Sequence, residues 1–441
     1  MRKFGIRFLL VLSIMIVSVA LAACAASPGS SGSGASSGQS GAQKSFTPSL
    51  DTATKSTVSV VGSYDNFEAL EAEFDKFNEY YPDVELSYTK LDDYNNVIAT
   101  ALTSDNAPDI YFAQDFMLDN DNYATLFERA EDLSDPAFNI DMSCVRSSLL
   151  YKDKTGTCPV VPVFSSTSGI LVNEDLFKKE GISVPTTYDE LLAACDAFNK
   201  AGYPTPILTY NVPSAYGNLV GELMYGDASK DPAMAEKLNS LDSSAGEYMK
   251  PVLVKVNDMM EHGCFNFDVC NELKDGYNAL ILRFFEGDIP MALSSADTAS
   301  GTAKRESQSE AFAANPFAYA FHPLALTNEG VCLIDKPSVQ FAVNKDGKSL
   351  DMANEFMRFL VSTQELNDIA RAKRLLTVTN DLAYDGLYAP FSKVAPDRII
   401  STREAGLSDD ATIQFRVAAY KVANGEASID DAIAGFGTYA L

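Results

Sequence analysis

The sequence has no tryptophan and only two histidines, and both shortages restrict what the protein can do. His262 and His322 lie far apart, and the sequence contains no H-E-x-x-H motif, so a zinc site with closely spaced ligands is not expected. A Ser-His-Asp triad would need one of these histidines, and neither has a supporting motif around it. Without tryptophan, tyrosine and phenylalanine must supply any aromatic surface for a ligand. We therefore expect neither a metal centre nor a cofactor.

Basic residues are also scarce. The chain of 441 residues has 34 Lys and Arg against 60 Asp and Glu, a net charge of −26. This excess of carboxylates would repel phosphate, which argues against nucleic acid or anionic lipid headgroups as partners. Most of the charge is expected on a solvated surface. The hydrophobic content of 46% is that of a globular protein.

No apolar run near the N-terminus is long enough to span a bilayer, which takes about 20 residues. The segment Phe8 to Ala20 is almost purely apolar, and three basic residues precede it. This pattern is typical of a secretory signal peptide. The following Leu21-Ala22-Ala23-Cys24 resembles a bacterial lipobox, which predicts a signal peptide over 1–24 and lipidation of Cys24. The alternative is an ordinary signal peptide with an incidental cysteine.

A low-complexity segment follows the lipobox. Residues Ala25 to Ala42 are all Ser, Gly and Ala except Pro28 and Gln39. Such a composition buries no apolar surface and predicts a flexible tether over 25–55. The Ser/Gly/Ala stretch alone has an expected end-to-end distance of about 20–25 Å. The sequence therefore predicts an extracytoplasmic protein that is anchored to the cell membrane by lipid and does not span it.

Six cysteines follow Cys24, and none of them forms a C-x-x-C motif that would suggest a metal site. An even number in an exported protein permits disulfides. Cys144–Cys158 and Cys264–Cys270 are the expected pairs, since each closes a short loop, but one sequence does not determine the pairing. Cys195 and Cys332 lie in apolar patterns and are expected to be buried thiols.

The folded part of about 390 residues is long enough for two domains. Residues 56–113 alternate strand and helix patterns: a β-rich run, Phe67, Leu70, Phe74 and Phe77 on one helix face, an alternating strand, a second helix and a strand before Gln114. This β-α-β-α-β order predicts an α/β fold with a parallel sheet. A second unit begins near Ser168, where a short apolar strand leads into a helix and then a capping box at Thr187.

Several segments resemble one known family. Residues 170–181, ILVNEDLFKKEG, and 185–191, PTTYDEL, are similar to "YNKDLFKKAG…PPKTWDEL" of extracellular solute-binding proteins of the sugar-binding, maltose-binding-protein-like type. Other segments resemble family landmarks in the expected order: FNEYYPDV at 77–84, NAPDI at 106–110, FEGDIPMA at 285–292 and FAVN at 341–344. The resemblance covers nearly the whole chain after the tether.

The resemblance implies a two-lobed periplasmic-binding-protein-like fold of type II, with the ligand in a cleft between the lobes. It places lobe 1 at 56–165 and 316–362, and lobe 2 at 166–315 and 363–441. It further implies a monomeric receptor that captures a small solute, most simply a carbohydrate, and delivers it to the permease of an ATP-binding-cassette (ABC) importer. Open α/β sheets bind ligands beyond the carboxyl ends of their strands, in agreement with such a cleft.

The loops that leave these strands are the predicted ligand contacts. A polar pair beside an aromatic residue suits a sugar, because hydroxyls pair with planar acceptors and the C–H face packs on a ring. At residues 294–297 the sequence departs from the family, which often has tryptophan there. The predicted ligand-binding residues are Tyr64, Asp65, Asn66, Gln114, Asp115, Phe116, Phe164, Ser165, Tyr210, Asn211, Tyr216, Ser294 and Asp297.

Three other functions remain open at this point. The protein could bind a solute other than a sugar, or it could serve a surface sensor kinase instead of a permease. It could also be a surface-tethered glycosidase, which needs two opposed carboxylates. Many acids are present, but no motif places two of them at the required separation, and the resemblance argues against an enzyme.

Overall fold

The computed structural model describes residues 46–118, 120–274, 276–384 and 386–441. The predicted signal peptide, the lipobox Cys24 and most of the predicted tether lie outside these residues. Within the described ranges, no helix combines the length and the apolar composition that crossing a membrane requires. Thr47–Leu441 forms one unit containing two sheets.

The strands of the described chain alternate with helices in its first part. In chain order the strands are β1 Ser56–Gly62, β2 Val84–Lys90, β3 Ile110–Ala113, β4 Val161–Ser166, β5 Ser168–Asn173, β6 Ile207–Leu208, β7 Met291–Ser295, β8 Tyr319–His322, β9 Leu333–Val343 and β10 Ile399–Ser401. The α-helices are α1 Glu68–Asn78, α2 Tyr94–Ala101, α3 Ala124–Glu128, α4 Glu174–Glu180, α5 Tyr188–Ala201, α6 Gly217–Ala228, α7 Pro232–Asn239, α8 Lys250–Glu261, α9 Phe267–Cys270, α10 Gly276–Phe284, α11 Ala296–Ala299, α12 Thr302–Glu306, α13 Glu310–Ala314, α14 Leu350–Leu360, α15 Thr363–Lys373, α16 Thr402–Ala405, α17 Asp409–Ala423 and α18 Ile429–Ala434.

The first sheet has the strand order β10-β9-β3-β1-β2, and β4 also pairs with β9. β1 is parallel to β2 and β3, as the alternating pattern predicts, whereas the long strand β9 runs antiparallel to β3 and β4. The apolar face of α1 is buried against this sheet, with Phe67 and Phe77 fully inaccessible to solvent. The predicted β-α-β-α-β unit is therefore confirmed.

The second sheet has the order β6-β7-β5-β8. The helix that follows β5 begins at Glu174, because the Asn173 side chain accepts a hydrogen bond from the Leu176 N–H. The capping box is confirmed in part: Thr187 accepts from the Glu190 N–H, but the Glu190 carboxylate bonds Thr186, one residue before the expected partner. α5 ends at Gly202, whose φ of 83° is the left-handed conformation that glycine adopts without strain.

Two placements differ from the predicted lobe boundaries. The strand Tyr319–His322 pairs with β5 in the second sheet, although 316–362 is predicted for lobe 1. Conversely, β10 lies on the edge of the first sheet, although residues from 363 onward are predicted for lobe 2. The chain thus returns from the second sheet to the first between β8 and β9. Strand pairing decides which sheet a strand belongs to, and the local sequence pattern does not show that pairing. The division into lobes as a whole stays a prediction.

A buried ion pair holds the segments that cross between the sheets. The guanidinium of Arg146 donates from Nε and Nη2 to the two carboxylate oxygens of Asp335 on β9, at 2.8 Å each. It also donates to Ser165 Oγ on β4 and to the carbonyl oxygens of Thr377 and Thr379, at 2.9–3.0 Å. One side chain thus ties together β4, β9 and the strand-like segment after α15.

The predicted disulfides are wrong for this structure: all six described cysteines are free thiols. Cys158 Sγ lies 3.4 Å from the carbonyl oxygen of Val160, and Cys144 Sγ lies 3.7 Å from that of Asp141. Each thiol therefore has a local partner other than the cysteine expected from loop length. The prediction that Cys195 and Cys332 are buried is confirmed.

Candidate functional site

A cavity of about 440 Å³ lies where the carboxyl ends of β1 and β3 face the helix that follows β7. We call it the cleft cavity. Five predicted ligand residues line it, contributed by loops that are far apart in sequence: Tyr64, Gln114, Asp115, Phe116 and Asp297. The rule that α/β sheets place ligands beyond the carboxyl ends of their strands therefore locates these residues together.

Asp115 is held by an arginine that sequence reasoning missed. Arg403, on α16, donates to Asp115 Oδ1 from Nη2 at 2.6 Å and from Nε at 3.1 Å. The same guanidinium bonds Gln340 Oε1 at 2.8 Å and the carbonyl oxygen of Leu149. The Asp115 side chain remains 39% exposed, and its Oδ2 takes no part in these bonds. One carboxylate oxygen is thus fixed while the other can accept from a ligand hydroxyl.

Asp297 connects parts of the chain on both sides of the cleft cavity. Its Oδ2 accepts from Ser166 Oγ and its Oδ1 from Ser338 Oγ, both at 2.5 Å. Ser166 ends β4 and Ser338 lies on β9, whereas Asp297 lies on α11 beyond the second sheet. These bonds orient the carboxylate at the wall between the two sheets.

Tyr64 is packed on several sides. Its ring makes edge contacts with Phe67 and Phe112, at centroid distances of 5.2 and 5.6 Å. The ammonium of Lys373 lies over the same ring, 4.2 Å from its centroid. Burial, together with the nearby Asp297 carboxylate, raises the pKa of the Tyr64 hydroxyl well above its ordinary value. Because its ring is packed against these groups, Tyr64 presents a neutral hydroxyl to the cavity and not an open ring face.

Phe116 is the more accessible aromatic residue of the cleft cavity. It is 36% exposed, among the most exposed large apolar side chains of the described chain. Its ring contacts Tyr123 edge-on at 5.7 Å, which fixes its orientation. An exposed ring held by a neighbour is suited to pack against the apolar face of a ligand.

The far wall of the cleft cavity comes from elements that sequence reasoning did not single out. Arg416 on α17 donates from Nη2 to Thr412 Oγ1 at 2.7 Å, whereas its Nε is buried with no hydrogen-bond partner among the described residues. Thr402 Oγ1 is likewise buried without a described partner. An available signal was the spacing of Thr412 and Arg416, which places two polar residues on one face of a helix rich in Ala and Val. The other missed lining residues are Tyr225, Lys336, Pro337, Ser338, Val339, Leu407 and Asp409.

Four predicted residues near the first sheet do not line the cleft cavity. Asp65 is exposed and pairs with Lys90 at 2.8 Å, and the exposed Asn66 bonds the Glu68 side chain. Phe164 is fully buried and packs on Phe67 in the core of the first sheet. Ser165 is also fully buried, with its hydroxyl bonded to Thr377 and Arg146. Their strand-end positions are as expected, but their side chains point elsewhere.

The predicted contacts from the second unit are mostly structural as well. Tyr216 is almost completely buried and donates to Asn211 Oδ1 at 3.0 Å, and the Asn211 amide bonds Asn424 on the loop after α17. Tyr210 packs edge-on against Tyr277. Ser294 is fully buried within β7. Of the residues predicted beyond 166, Asp297 alone lines the cleft cavity.

The cleft cavity thus combines carboxylates, hydroxyls, an amide, a guanidinium group and one exposed ring. Such a lining can exchange hydrogen bonds with a neutral polar ligand in both directions, since it contains donors and acceptors. In the described ranges, no group of three or more His, Cys, Asp or Glu side chains is arranged to hold a metal ion.

The family model described as bacterial extracellular solute-binding protein matches residues 62–366, more than half of the chain. The chain belongs to this family. The match includes β2 to β9, α1 to α14 and most of the strand ends that border the cleft cavity.

Individual relatives of this solute-binding protein are distant. The melibiose/raffinose/stachyose-binding protein MelE of Bacillus subtilis is 27% identical over 154 residues, and the match spans 33% of this chain and only about a third (34%) of MelE. Among solved structures, RafE of Streptococcus pneumoniae in its apo form has a TM-score of 0.67 at 15% identity and covers 87% of this chain and 97% of RafE. A sugar transporter of Bacillus licheniformis, in complex with stachyose, has a TM-score of 0.57 at 17% identity and covers 86% of this chain and 97% of its own. The two-lobed α/β fold of such proteins is therefore the fold of this chain.

Proposed function

We propose that this protein captures a carbohydrate in the cleft cavity for import by an ABC permease. The observation that carries the proposal is the convergence of Asp115, Phe116 and Asp297 with Arg416 around one cavity of about 440 Å³ in a solute-binding protein. Carboxylates and a guanidinium pair with hydroxyl groups, and an aromatic ring packs on the C–H face of a sugar.

The relatives support a sugar as the ligand. MelE is described as a melibiose-, raffinose- and stachyose-binding protein, and RafE has been solved in complex with raffinose. The Oδ2 of Asp115, which Arg403 does not bond, favours a ligand rich in hydroxyls, because a hydroxyl can donate to it.

Capture is expected to occur without chemical conversion of the ligand. Two of the three carboxylates that line the cleft cavity are engaged, since Asp115 pairs with Arg403 and Asp297 accepts from two serines. A glycosidase needs one carboxylic acid and one carboxylate placed on either side of the scissile bond. We therefore favour a monomeric binding protein, tethered outside the cell by lipid on Cys24, over a surface enzyme.

The direct test is calorimetric titration of the purified soluble domain with melibiose, raffinose and stachyose. Asp115→Ala should weaken binding of the best ligand by about 30- to 150-fold, because a charge-assisted hydrogen bond of about 2–3 kcal/mol is lost. Chromatography after incubation should recover the sugar unchanged. Absence of binding to any carbohydrate would contradict the proposed ligand class, and release of product would favour the enzyme.

The chain offers a matched control for this variant. Asp65 is also a strand-end aspartate with a basic partner, but it is exposed and does not line the cleft cavity. Asp65→Ala should leave the dissociation constant unchanged. Equal effects of the two substitutions would show that the affinity loss reflects general charge removal and not contact with the ligand.

A further inference from the structure

A second cavity lies behind the wall of the cleft cavity. It has a volume of about 360 Å³ and shares no lining residue with the cleft cavity. The Tyr388 hydroxyl, which lines it, lies 3.0 Å from the carbonyl oxygen of Ala296, and the next residue, Asp297, lines the cleft cavity. Similarly, Arg374 lines the second cavity, while its neighbour Lys373 lies over the ring of Tyr64. The two cavities therefore lie back to back.

An arginine and a glutamate face each other in this second cavity at a distance suited to a bridging hydroxyl. Arg374 Nη1 lies 3.9 Å from Glu306 Oε1, which is longer than a direct hydrogen bond. Glu306 also accepts from the Tyr319 hydroxyl, which orients its carboxylate. A ligand hydroxyl placed between the two groups can accept from the guanidinium and donate to the carboxylate.

Other lining groups also suit a sugar. The Tyr384 side chain lines the cavity, but its hydroxyl is buried without a hydrogen-bond partner among the described residues and is out of a ligand's reach in this conformation. The tyrosines at 319, 384 and 388 supply aromatic surface in a chain without tryptophan. Arg371, the other basic lining residue, pairs with Asp368 at 2.9 Å. With both arginines facing carboxylates, the cavity favours a neutral ligand over an anion.

The backbone of Arg374 adopts a conformation that is unfavourable for a residue other than glycine. Arg374 ends α15 with φ 56° and ψ 43°, the left-handed conformation that usually favours glycine. Its carbonyl oxygen lies 2.9 Å from the Tyr388 hydroxyl. Strained residues of this kind concentrate at ligand sites, where the surrounding structure maintains them.

We propose that the second cavity is a separate binding site for a neutral sugar of one or two rings. The proposal rests on the carbohydrate ligand class proposed for the cleft cavity. Arg374 follows α15, which packs on α1 beside the first sheet, whereas Glu306 and Tyr388 belong to segments beside the second sheet. A sugar here contacts both lobes, so it favours a defined lobe arrangement and couples to binding in the cleft cavity.

Two substitutions test this site without weakening the fold. Arg374→Gly removes the guanidinium at a position where glycine is the preferred residue, and Tyr384→Phe, which removes a buried hydroxyl that no ligand reaches, is the matched control. Both variants should keep or raise the melting temperature. In calorimetric titrations with melibiose, the wild-type protein should bind two equivalents. The weaker equivalent should lose at least about 10-fold in affinity in Arg374→Gly and keep its affinity in Tyr384→Phe.

The cleft variant Asp115→Ala provides the opposite pattern, because it should weaken the first equivalent and leave the second detectable. A single equivalent of melibiose that is insensitive to Arg374→Gly would overturn the second site and leave the proposed function intact. One equivalent weakened by both Asp115→Ala and Arg374→Gly would indicate a single elongated site and would also overturn the proposal. No binding of melibiose, raffinose or stachyose to the wild-type protein would contradict the proposed function itself.

Discussion

The buried pair of Arg146 and Asp335 leads to a quantitative prediction about stability. Their side chains are 7% and 1% exposed, and the guanidinium makes five hydrogen bonds to three segments that connect the sheets. In Asp335→Asn the buried arginine keeps its charge but loses its counter-ion. Removing one partner of a buried pair typically costs about 3–5 kcal/mol, because the other charge is left uncompensated.

The loss of stability should not come from the charge pair alone. In the double variant Arg146→Met with Asp335→Leu, no unpaired charge remains, and such replacements are often close to neutral. Here, however, the carbonyl oxygens of Thr377 and Thr379 would lose the guanidinium as a donor and keep only Ser165 Oγ and the Leu382 N–H, at a cost of about 0.5–1.5 kcal/mol for each hydrogen bond lost. The double variant should therefore be more stable than either single variant and less stable than the wild type.

Equilibrium unfolding in urea, monitored by far-UV circular dichroism, measures these differences. The surface pair of Arg129 and Asp346 is the control, because Asp346 is 57% exposed and Asp346→Asn should cost less than about 1 kcal/mol. If Asp335→Asn cost no more than Asp346→Asn, the pair would not hold the crossing segments together, and the reasoning from burial would be refuted.

Three further predictions concern pH, ligand binding and localisation. Burial, with the neighbouring Glu365, raises the pKa of Glu73 to about 8, so the folded state retains a proton that the unfolded chain releases above about pH 4.5. The free energy of unfolding should therefore fall as the pH rises between these two values. Glu73→Gln should flatten that part of the dependence of melting temperature on pH, and an unchanged slope would contradict the raised pKa. Phe116→Ala should weaken carbohydrate binding by about 1–2 kcal/mol, with little change in melting temperature, because the ring is exposed in the cleft cavity. A normal dissociation constant would place the ligand elsewhere. Cys24→Ala should move the protein from the membrane fraction to the soluble fraction without changing affinity, and retention in membranes after signal removal would rule out the lipid anchor.

Much of the fold could be predicted from local patterns. The helix face of Phe67 and Phe77, the strand ends at Gln114 and Ser295, and the helix starts at Asn173 and Thr187 all follow from residue spacing and side-chain capping. These features depend on neighbours in sequence. Asp115, Phe116 and Asp297 could be proposed as cavity residues for a related reason, since loops after strand ends meet at the same edge.

The predicted contacts and cysteine pairs that the structure does not show have a common physical cause. Phe164 and Asn211 follow the same positional rule as Asp115, but their side chains turn into packed or hydrogen-bonded surroundings that local sequence does not report. The expected cysteine pairs were chosen from loop length, whereas disulfide formation depends on the distance and direction of two side chains in space.

By itself, the sequence determined the class of protein: its periodicity indicated an α/β fold, and its ordered motifs resembled solute-binding proteins. Only the tertiary structure decided the composition of the site. Arg403 joins Asp115 across 288 positions, and Arg416 reaches the same cavity from a C-terminal helix. The structure also revealed the second cavity at Arg374. Such contacts depend on how the two sheets and their helices pack, which is set by the whole chain and not by any local pattern.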